Sequence, residues 1–597
     1  HLPQIAAMAE AHLTVEKGER SGRTYTAGVA RGNQGLIDGA IAFTDGERTL
    51  VMDGFDCRID GLPAGDCNGM ALVRNRVWVE KGTLKVSWAM PDAKRGADGS
   101  PRFTRIAAGP VDCAFTRVYA GMGNVVERPK KFTFSASGFT CSTRHVGADY
   151  ENGLSLVQAS DVFPDEVVCD AERKLFALVT HNDATISFTP SNRGAFDAAF
   201  AFAAVSGYRR SPGFDNLAGK IVLDDWWGDY RRAAEGLPQS RRYGLEAVYL
   251  QHNWQRWGYD VRLPEVWPPR RDYAQFIAMA RAARDAGFAF GLHDNYIDLY
   301  PDAENYSYDL VIFNKDGTPQ KAWFNPGRHA LSYRWAPHAF RPWCLRNAKL
   351  LKAGYDPDGV FIDVLTAHGP FDYLDRSGAY HSKDETSRHW ADAFRTYREG
   401  YGRPDAITVS EAGQDHLVGT LDAGESDHFP AEKLVGRSAF RDAERTPWHD
   451  MATHNRFILL AGGLGGRYQE EEWNKGGDWE LHGYASDDYL SNCIIGGRFW
   501  QAQNYIVNRA NCVNCTFAGC SSYSGVVANQ TKQYYLNCLF AGNRNRNNSF
   551  SEFAGANPAR TNCTTSADNT QYQVFAPVLG DYTPIAGTAA ETTDSPV

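Results

Sequence analysis

Two short apolar, β-branched runs that each stop at a carboxylate constrain this sequence more than any other feature. The first, VFIDV, reaches Asp363, and the second, AITVSE, reaches Glu411, which is 48 residues further on. Runs of this kind predict buried parallel strands, and in a (β/α)8 barrel the side chains at the C-terminal ends of the strands converge on one site. The interval has room for one loop, one helix at about residues 382–401 and the next strand. We therefore expect Asp363 and Glu411 on neighbouring strands, facing each other.

A carboxylate at the end of a parallel strand has a second common use, because it can simply cap the helix that follows. One run of this type leaves both roles open. Two runs separated by a single βα unit favour a functional pair of acids. The chain also has 15 Trp and 28 Tyr; most such rings fill cores, but a surplus in loops suits stacking on the apolar faces of sugars.

The same alternation of strand and helix patterns extends across residues 206–495, which we predict to be a (β/α)8 barrel of the TIM type. In chain order the segments are GLEAVYLQHNW, the helix YAQFIAMARAARDAG, GFAFGLHDNYID, a weaker strand at HALSYRWA, the helix AFRPWCLRNAKLLKAG, VFIDV and AITVSE. TLDAGESDHF and RFILLAGGLGG are predicted as a sixth and a seventh strand.

Polar and aromatic side chains are concentrated where these strands end. A sugar site requires such groups, because each hydroxyl must keep a hydrogen bond when it leaves water. We expect Asp294 and Asn295 to bind hydroxyls of the sugar at the cleavage position, with Trp257 as a further stacking surface. The predicted substrate-binding residues are His252, Asn253, Trp254, Asp294, Asn295, Tyr296, Trp323, Arg334, Trp335 and Glu425. For each Trp, burial in the core is the competing role.

Residues 1–205 carry a different pattern. Short alternating runs such as TYTAGVA, RVWVEKGTLKVSWAM and KFTFSASGF are separated by Gly, Asp and Asn. Alternation with a period of two predicts antiparallel strands, and many of them in succession predict a large β-sandwich. No catalytic set of residues is apparent there, so we expect this region to pack against the barrel.

Residues 496–597 change again, to segments rich in Asn, Cys and small residues: NRANCVNCTFAGC, YYLNCLFAGN and ARTNCTTS. Cys515 and Cys538 are 23 residues apart, and Cys538 and Cys563 are 25 apart. A repeat of this length predicts a short parallel β-helix in which Asn and Cys stack inward. A disulfide-rich tail is the alternative, but the recurrence of Asn-Cys in one register favours the β-helix.

The composition excludes some classes of partner. A net charge of −9 and a pI near 6.0 argue against nucleic acid, and the absence of eighteen consecutive apolar residues argues against a membrane span. Cys512 and Cys515 form a CxxC that no second pair completes into a zinc site. We expect no metal or organic cofactor. The chain begins at His1 without Met or a signal peptide, and we expect an exported, extracellular or periplasmic protein.

The barrel segments resemble those of a known family. GVFIDV followed one unit later by ITVSEAG, and preceded by QHNWQRWGYD and LHDNYID, is similar to the barrel of the endo-α-N-acetylgalactosaminidase-like glycoside hydrolases, which are related to α-galactosidases and α-amylases. HNRFILLAGGLGGRYQ and LHGYASDDYL resemble the later part of that barrel. The resemblance covers about residues 220–489 and implies a β-supersandwich ahead of the barrel, Asp363 as nucleophile and Glu411 as acid/base. It also implies α-galactosyl or α-N-acetylgalactosaminyl substrates; the Asn/Cys-rich tail departs from the family pattern.

We therefore predict a retaining glycoside hydrolase whose two carboxyl groups lie about 5 to 5.5 Å apart. Asp422, Glu425 and Asp427 are reserve acids, and Glu425 is the first of them to test. Three alternatives stay open. A transglycosylase would use the same residues, a non-catalytic glycan-binding protein would need no facing acids, and a polysaccharide lyase would need a basic patch on the β-helix beyond the single run NRNRNN. The sequence indicates no oligomeric state.

Overall fold

The computed structural model divides the chain into two compact units. One comprises residues 1–235 and 247–459, and the other comprises residues 236–246 and 460–597. The structure describes residues 12–20, 23–31, 41–59, 62–63, 74–89, 104–121, 124–136, 144–181, 184–225, 228–242, 244–269, 273–325, 328–411, 415–424, 448–460, 481–482, 489–491, 494–498, 507–508, 511–513, 515–521, 534–536, 538–541, 559–561 and 563. The predicted domain boundaries at residues 205 and 495 stay predictions.

The N-terminal part of the first unit is built from antiparallel strands. They are β1 (His12–Arg20), β2 (Arg23–Arg31), β3 (Ile41–Thr44), β4 (Thr49–Met52), β5 (Phe55–Ile59), β6 (Leu62–Pro63), β7 (Arg74–Glu80), β8 (Thr83–Ala89), β9 (Thr104–Ala108), β10 (Phe115–Ala120), β11 (Asn124–Glu127), β12 (Lys131–Ser135), β13 (His145–Tyr150), β14 (Ser155–Ser160), β15 (Glu166–Asp170), β16 (Leu175–Thr180) and β17 (Thr185–Ser191). A seven-stranded sheet has the order β11-β10-β13-β14-β17-β8-β7, and a six-stranded sheet has the order β12-β15-β16-β9-β5-β6.

These two sheets enclose one apolar core, so this part is a β-sandwich. The core combines residues of the first sheet, such as Val86 and Phe188, with residues of the second, such as Ile106 and Leu178, all of them buried. In β12 the sequence KFTFS alternates between exposed and buried positions. Alternation therefore places every second side chain in the core, in agreement with the sequence pattern.

Helices and parallel strands follow the sandwich. They are α1 (Ala195–Phe202), α2 (Phe214–Leu217), β18 (Ile221–Asp225), α3 (Tyr230–Arg242), β19 (Ala247–Gln251), α4 (Tyr273–Asp285), β20 (Ala289–Asn295), β21 (Asp298–Leu299), β22 (Lys321–Asn325), β23 (Ala330–Arg334), α5 (Phe340–Gly354), β24 (Gly359–Asp363), β25 (Tyr373–Leu374), β26 (Tyr380–His381), α6 (Lys383–Tyr401), β27 (Ile407–Ser410), β28 (Ala423–Gly424), α7 (Trp448–Thr453) and β29 (Ile458–Leu459). Short 3₁₀ turns lie at Tyr308–Leu310, Pro337–Ala339 and Asp415–Leu417.

One parallel sheet of seven strands, in the order β18-β19-β20-β24-β27-β28-β29, organises this region. The strands follow one another in chain order, with helices between several of them, as expected of a TIM-type domain. Because β19, β24 and β27 are buried along their whole length, they have apolar, β-branched sequences. A closed eight-stranded barrel stays a prediction, since the described residues supply seven strands.

Two features of this sheet differ from the sequence prediction. The weak strand at HALSYRWA is β23, which pairs antiparallel with β21 and β22 in a separate three-stranded sheet instead of joining the parallel one. The first parallel strand is β18, whose sequence IVLDD had no predicted role. Only three apolar residues precede the two acids of β18, which is too short a run for periodicity alone to identify the strand.

Helix α6 sets the interval between the strands of the two predicted acids. Its N-cap is Ser382, whose hydroxyl accepts a hydrogen bond from the backbone of Glu385, while the Glu385 carboxylate accepts one from the backbone of Ser382. Gly402 ends the helix in the left-handed conformation, where glycine carries no steric cost. The predicted helix at 382–401 is therefore confirmed at Lys383–Tyr401.

Buried contacts join the sandwich to the parallel-sheet region within the first unit. Asp415 accepts hydrogen bonds from the backbone N–H of Arg144 and from Nδ1 of His145, both at 2.9 Å. Trp448 stacks on Tyr119 at 5.0 Å between ring centroids. A Cβ at Gly147 would lie 2.3 Å from the Trp448 ring, so only glycine fits there.

The second unit contains short parallel strands in stacked rows. The strands are β30 (Leu481–His482), β31 (Tyr489–Ser491), β32 (Ile494–Arg498), β33 (Val507–Asn508), β34 (Asn511–Val513), β35 (Thr516–Ser521), β36 (Tyr534–Leu536), β37 (Leu539–Ala541) and β38 (Ala559–Thr561). The rows are β31-β34-β36-β38 and β32-β35-β37. Cys512, Cys515 and Cys538 are buried in this unit. The parallel β-helix and the disulfide-rich tail both stay predictions.

Within the described part of the chain, the helices are too short or too polar to cross a bilayer.

Candidate active site

The two acids predicted to form a pair lie at the ends of adjacent parallel strands. β24 and β27 pair in a register that sets Ile362 beside Ser410. Asp363 ends β24 and Glu411 directly follows β27, so the two residues are at the same level of the sheet. They are 4% and 6% exposed. Residues at one level of neighbouring parallel strands extend to the same face of the sheet; a facing pair of carboxyl groups stays a prediction.

The carboxylate of Asp363 has one occupied oxygen and one unoccupied oxygen. Tyr259 donates its hydroxyl proton to Oδ2 at 2.7 Å. Oδ1 is buried and has no hydrogen-bond partner among the described residues. A buried carboxylate oxygen is normally satisfied, because leaving it without a partner costs free energy. A ligand atom at Oδ1 would therefore meet a strong acceptor that the fold does not use.

The backbone turns sharply directly after Asp363. Val364 has φ of 64°, and a β-branched residue in this left-handed region is a genuine outlier. The turn is fixed by hydrogen bonds from Leu365 N–H to the Asp363 carbonyl at 2.7 Å and from His368 N–H to the Val364 carbonyl at 3.1 Å. Such strain costs on the order of 1–3 kcal/mol and is found most often at functional sites.

Two buried histidines lie beneath the acids. The Nδ1 atoms of His252 and His293 are 2.9 Å apart, a distance that requires one proton between them. Nε2 of His252 bonds to Asp224, and Nε2 of His293 bonds to Asp260 at 3.0 Å. Burial lowers the pKa of His252. Burial also opposes a positive charge on His293, but the carboxylates of Asp260, Asp363 and Asp294 together outweigh it and raise the pKa of His293. The shared proton therefore belongs on His293, which donates to both His252 and Asp260.

A second group of polar side chains continues from Asp260. Asn295 donates its amide to Asp260 at 2.8 Å and more weakly to Asp298 at 3.4 Å. Ser332 donates its hydroxyl to Asp298 at 2.6 Å. Burial raises the pKa of Asp298 to about 6, opposed by the Ser332 hydrogen bond and reinforced by the negative charges of Asp260 and Asp363. Asp260, Asp298 and Asp363 therefore lie close enough together for their charges to interact.

Of the predicted substrate-binding residues, three lie in or beside this network. His252 and Asn295 are buried within it. Arg334 ends β23 opposite Asp298. Asn253 is half-buried, with its carbonyl accepting a hydrogen bond from Tyr230 at 3.1 Å. Trp323, on β22, is 43% exposed. These residues stay candidates for contact with a ligand.

Asp294 lies on the opposite face of the sheet, because adjacent residues of a strand point in opposite directions. Its Oδ2 accepts hydrogen bonds from Tyr296 at 2.8 Å, from Asn347 of α5 at 3.1 Å and from Tyr397 of α6. Its Oδ1 accepts the backbone N–H of Asn295 at 2.9 Å. Asp294 and Tyr296 therefore hold helices to the sheet, a role that replaces the predicted contact with sugar hydroxyls.

Three predicted aromatic or acidic candidates are also in structural positions. Trp254 and Trp335 are fully buried, so neither offers a face for stacking. Trp254 donates its indole N–H to the carbonyl of His293 at 2.8 Å. The reserve acid Asp422 is buried in an ion pair with Arg398 at 2.9 Å. Glu425 and Asp427 lie outside the described residues.

Trp257 is exposed, but its ring is already covered. The guanidinium groups of Arg256 and Arg262 each lie 4.6 Å from the ring centroid, and the indole N–H donates to Glu265 at 2.9 Å. A sugar would have to displace a guanidinium in order to stack there. Trp323 is therefore the better candidate for a stacking surface.

Sequence reasoning missed four polar residues of the network: Asp224, Tyr259, Asp260 and Asp298. Asp224 carried a usable signal, since IVLDD is a strand that ends in two acids. Tyr259 and Asp260 lie eight and nine residues past the end of β19, too far along a loop for a rule based on strand ends. Asp260 has φ of 48°, and this turn directs the loop back to the site.

One set of described residues could hold a cation. A ligand atom of Asp260, one of His293 and one of Asp363 all lie within 4.8 Å of one another, and all three residues are buried. Oxygen and imidazole nitrogen donors of this kind suit divalent transition metals. The hydrogen bonds of His293 to His252 and Asp260 compete with that role.

Comparisons with known proteins agree with the architecture. No protein-family model and no curated sequence matches this chain. Solved structures of the α-N-acetylgalactosaminidase NagBb from Bifidobacterium bifidum are similar. The Gal-NHAc-DNJ complex has a TM-score of 0.52 at 15% identity over 76% of this chain and 76% of that chain. The ligand-free form has a TM-score of 0.52 at 14% identity over 74% and 85% of the two chains. The GalNAc complex has a TM-score of 0.51 at 14% identity over 76% of each chain. The chain thus shares the fold of this α-N-acetylgalactosaminidase, as the sequence resemblance implied.

Proposed function

We propose that this protein is a retaining glycoside hydrolase that acts on α-linked galactosyl or N-acetylgalactosaminyl residues. The observation that carries the proposal is the placement of Asp363 and Glu411 at one level of two adjacent parallel strands. Two carboxyl groups on one face of a sheet, at the end where parallel strands direct their side chains to a ligand, are the arrangement that glycosidic cleavage needs. The fold shared with an α-N-acetylgalactosaminidase supports the substrate class.

In the first step, an oxygen of Asp363 forms a bond to the anomeric carbon while the bond from that carbon to the leaving oxygen breaks. Glu411 transfers its proton to the leaving oxygen. In the second step, Glu411 removes a proton from water, whose oxygen attacks the anomeric carbon and displaces Asp363. Both carboxyl groups return to their starting protonation states, and the sugar keeps its anomeric configuration.

The surroundings of Asp363 suit a nucleophile. The Tyr259 hydroxyl binds Oδ2, which fixes the carboxylate and leaves Oδ1 as the oxygen that can form the new bond. The imidazolium of His293 places a positive charge beside the carboxylate. Because burial in low dielectric strengthens such interactions, the charge of Asp363 is balanced without an ion pair that would block it.

The test uses aryl α- and β-glycosides of galactose and N-acetylgalactosamine, with the first-formed product anomer followed by proton NMR. We expect cleavage of α-glycosides with retention. Glu411→Gln should slow substrates with poor leaving groups far more than activated aryl glycosides, because only the former need the proton. Azide should restore turnover of activated substrates by Glu411→Gln and release a glycosyl azide. An inverted first product would rule out the retaining scheme.

The cluster of Asp260, His293 and Asp363 favours one competing function, hydrolysis assisted by a divalent cation. A chelator separates the two. The retaining scheme predicts unchanged turnover after exhaustive treatment with EDTA, while a cation-dependent enzyme would lose activity and regain it with added metal. A transglycosylase would use the same two acids, and competition between water and an added sugar acceptor distinguishes it.

A further inference from the structure

One arginine beside the site lacks the kind of partners that the fold gives to the buried Arg398. Arg334 is half-buried, its Nε is enclosed without a hydrogen-bond partner, and its guanidinium lies 4.8 Å over the ring of Phe371. Among the described residues its side chain forms no ion pair and no hydrogen bond. By contrast, buried Arg398 pairs with Asp422 at 2.9 Å and bonds to the Thr420 carbonyl at 2.7 Å.

A guanidinium in this position is costly for the folded protein. Arginine keeps its charge in proteins, and a charge that is partly removed from water without a partner loses solvation that its surroundings do not replace. Burial lowers the pKa of Arg334, and the negative charge of Asp298 opposes this effect only from beyond ion-pair distance. The oxygens of Asp298 are already used by Ser332 and Asn295. Among the described residues, none therefore accepts a hydrogen bond from the guanidinium group of Arg334.

The position of Arg334 connects it to the proposed nucleophile Asp363 through Asp298. It is paired across β21 and β23 with Asp298, whose carboxyl is influenced by the charge of Asp363. His368, which follows Asp363 by five residues, is close enough to Arg334 to be influenced by its charge. Burial and Arg334 together lower the pKa of His368 to about 3. The Arg334 guanidinium thus has the Phe371 ring and the neutral His368 imidazole as neighbours, and both belong to the stretch of chain that follows the proposed nucleophile.

We propose that Arg334 recognises a negatively charged substituent, a carboxylate or a sulfate ester, on the sugar that the site cleaves. Both groups present coplanar or paired oxygens that match the guanidinium fork, and such bidentate pairs are strongest where water is excluded. The ring of Phe371 packs against the guanidinium group. This inference rests on the proposed function and narrows its substrate class to acidic glycans; neutral galactosides are then the poorer substrates.

The experiment compares three aryl α-glycosides with the same leaving group: galactoside, galacturonide and galactoside 6-sulfate. We expect the wild-type protein to prefer at least one of the two charged substrates, by kcat/KM, over the neutral one. Arg334→Gln should lower that preference by about 30-fold or more, because it removes one partner of a buried charged pair. Arg334→Lys should retain part of the preference, since it keeps the charge without the fork. The two charged substrates distinguish carboxylate from sulfate.

Two controls keep the outcomes separate. Arg346→Gln makes the same change at an exposed arginine that pairs with Glu304 and should leave the preference unchanged. Cleavage of the neutral galactoside, with no preference for either charged substrate, would overturn the inference and leave the proposed function standing. If no glycoside is cleaved, the proposed function fails, and calorimetric titration with inorganic sulfate then decides. Binding that Arg334→Gln abolishes supports an anion site, and equal binding by both proteins rules it out.

Discussion

Aspartate side chains on the two faces of the parallel sheet have opposite hydrogen-bonding surroundings. On the helix-facing side, Asp294 is fully buried and accepts hydrogen bonds from Tyr296, Tyr397, Asn347 and the backbone of Asn295. On the other side, Asp363 is 4% exposed and accepts one hydrogen bond, leaving Oδ1 without a partner. Both are aspartates on adjacent strands, β20 and β24.

The difference separates an acid that builds the fold from an acid available for chemistry. Every donor around Asp294 comes from the protein, so its carboxyl group has no capacity left for a ligand. Asp363 accepts fewer hydrogen bonds from the protein: the Tyr259 hydroxyl orients its carboxylate, and a strained turn at Val364 follows it. Burial alone does not mark a functional carboxylate; an unmet hydrogen-bonding capacity at the open end of the sheet does.

The sharpest test of this comparison is the same substitution on both faces. Asp363→Asn should lower kcat by at least about 1,000-fold, since an amide cannot act as the nucleophile. Its thermal stability should stay close to that of the wild-type protein, because the amide oxygen can still accept from Tyr259 and the oxygen that is lost has no hydrogen-bond partner among the described residues. Stopped assays with an activated aryl glycoside, together with differential scanning calorimetry, measure both quantities.

Asp294→Asn should do the reverse. An asparagine cannot accept from all four donors, and either orientation of its amide sets N–H against N–H. We expect a loss of about 2–3 kcal/mol in the free energy of unfolding, with kcat/KM of the folded protein within about 10-fold of wild type. Urea denaturation monitored by circular dichroism gives the first value. Severe loss of activity in a stable Asp294→Asn protein would contradict the assignment of the two faces.

The raised pKa of Asp298 predicts that the free energy of unfolding depends on pH through a group near Asp363. Since the folded protein holds this proton more tightly than the unfolded chain, the stability that the group contributes is greatest below about pH 4. It falls by at most about 3 kcal/mol as the pH rises to about 6, and is constant above that. Asp298→Asn, in which the amide oxygen can still accept from Ser332, should remove this decline.

Urea denaturation of both proteins at about pH 4 and about pH 7 measures the difference. Asp309→Asn is the matched control, because Asp309 is an exposed acid in a surface pair with Arg376; it should keep the wild-type decline. An unchanged pH dependence in Asp298→Asn would show that the proton is not bound there.

The smallest expected effect concerns the helices that close the Asp294 face. A Cβ at Gly400 of α6 would lie 2.4 Å from Cβ of Ala348 in α5. Gly400→Ala should force these helices apart, together with Asn347 and Tyr397, at a cost of about 1–3 kcal/mol. Gly236→Ala in α3 meets nothing within 4 Å and should be neutral or stabilising by up to about 1 kcal/mol. Equal stability of the two variants would show that α5 and α6 do not pack so closely.

The sequence predicted the parallel strands and the adjacency of Asp363 and Glu411, because apolar runs and their spacing follow from burial and from the βα repeat. It placed both Asp294 and Asn295 in the site, although neighbouring strand residues point to opposite faces. Asn295 is the residue that shares a face with Asp363, because the two are paired across β20 and β24. This register depends on how the strands pair in the folded protein and cannot be derived from the local sequence. Trp254 and Trp335 showed the same limit, since composition does not tell a buried ring from an exposed one.

Tyr259 and Asp260 were missed in the sequence for a different reason. They belong to a loop whose course depends on left-handed residues such as Asp260 and Arg262. Arg334 was among the predicted binding residues, but its strand lies in a separate antiparallel sheet and not in the parallel one. No local periodicity encodes such positions, so only the folded chain shows which side chains meet Asp363.

The most direct test of the central claim is to trap the glycosyl-enzyme. A mechanism-based inactivator of the α-galactosyl type, such as an activated fluorosugar or an epoxide, should label one residue, and peptide mass spectrometry after digestion should locate the sugar on Asp363. Asp363→Asn should take up no label. Stoichiometric labelling of any other residue, or labelling of Asp363→Asn at the wild-type rate, would contradict Asp363 as the nucleophile.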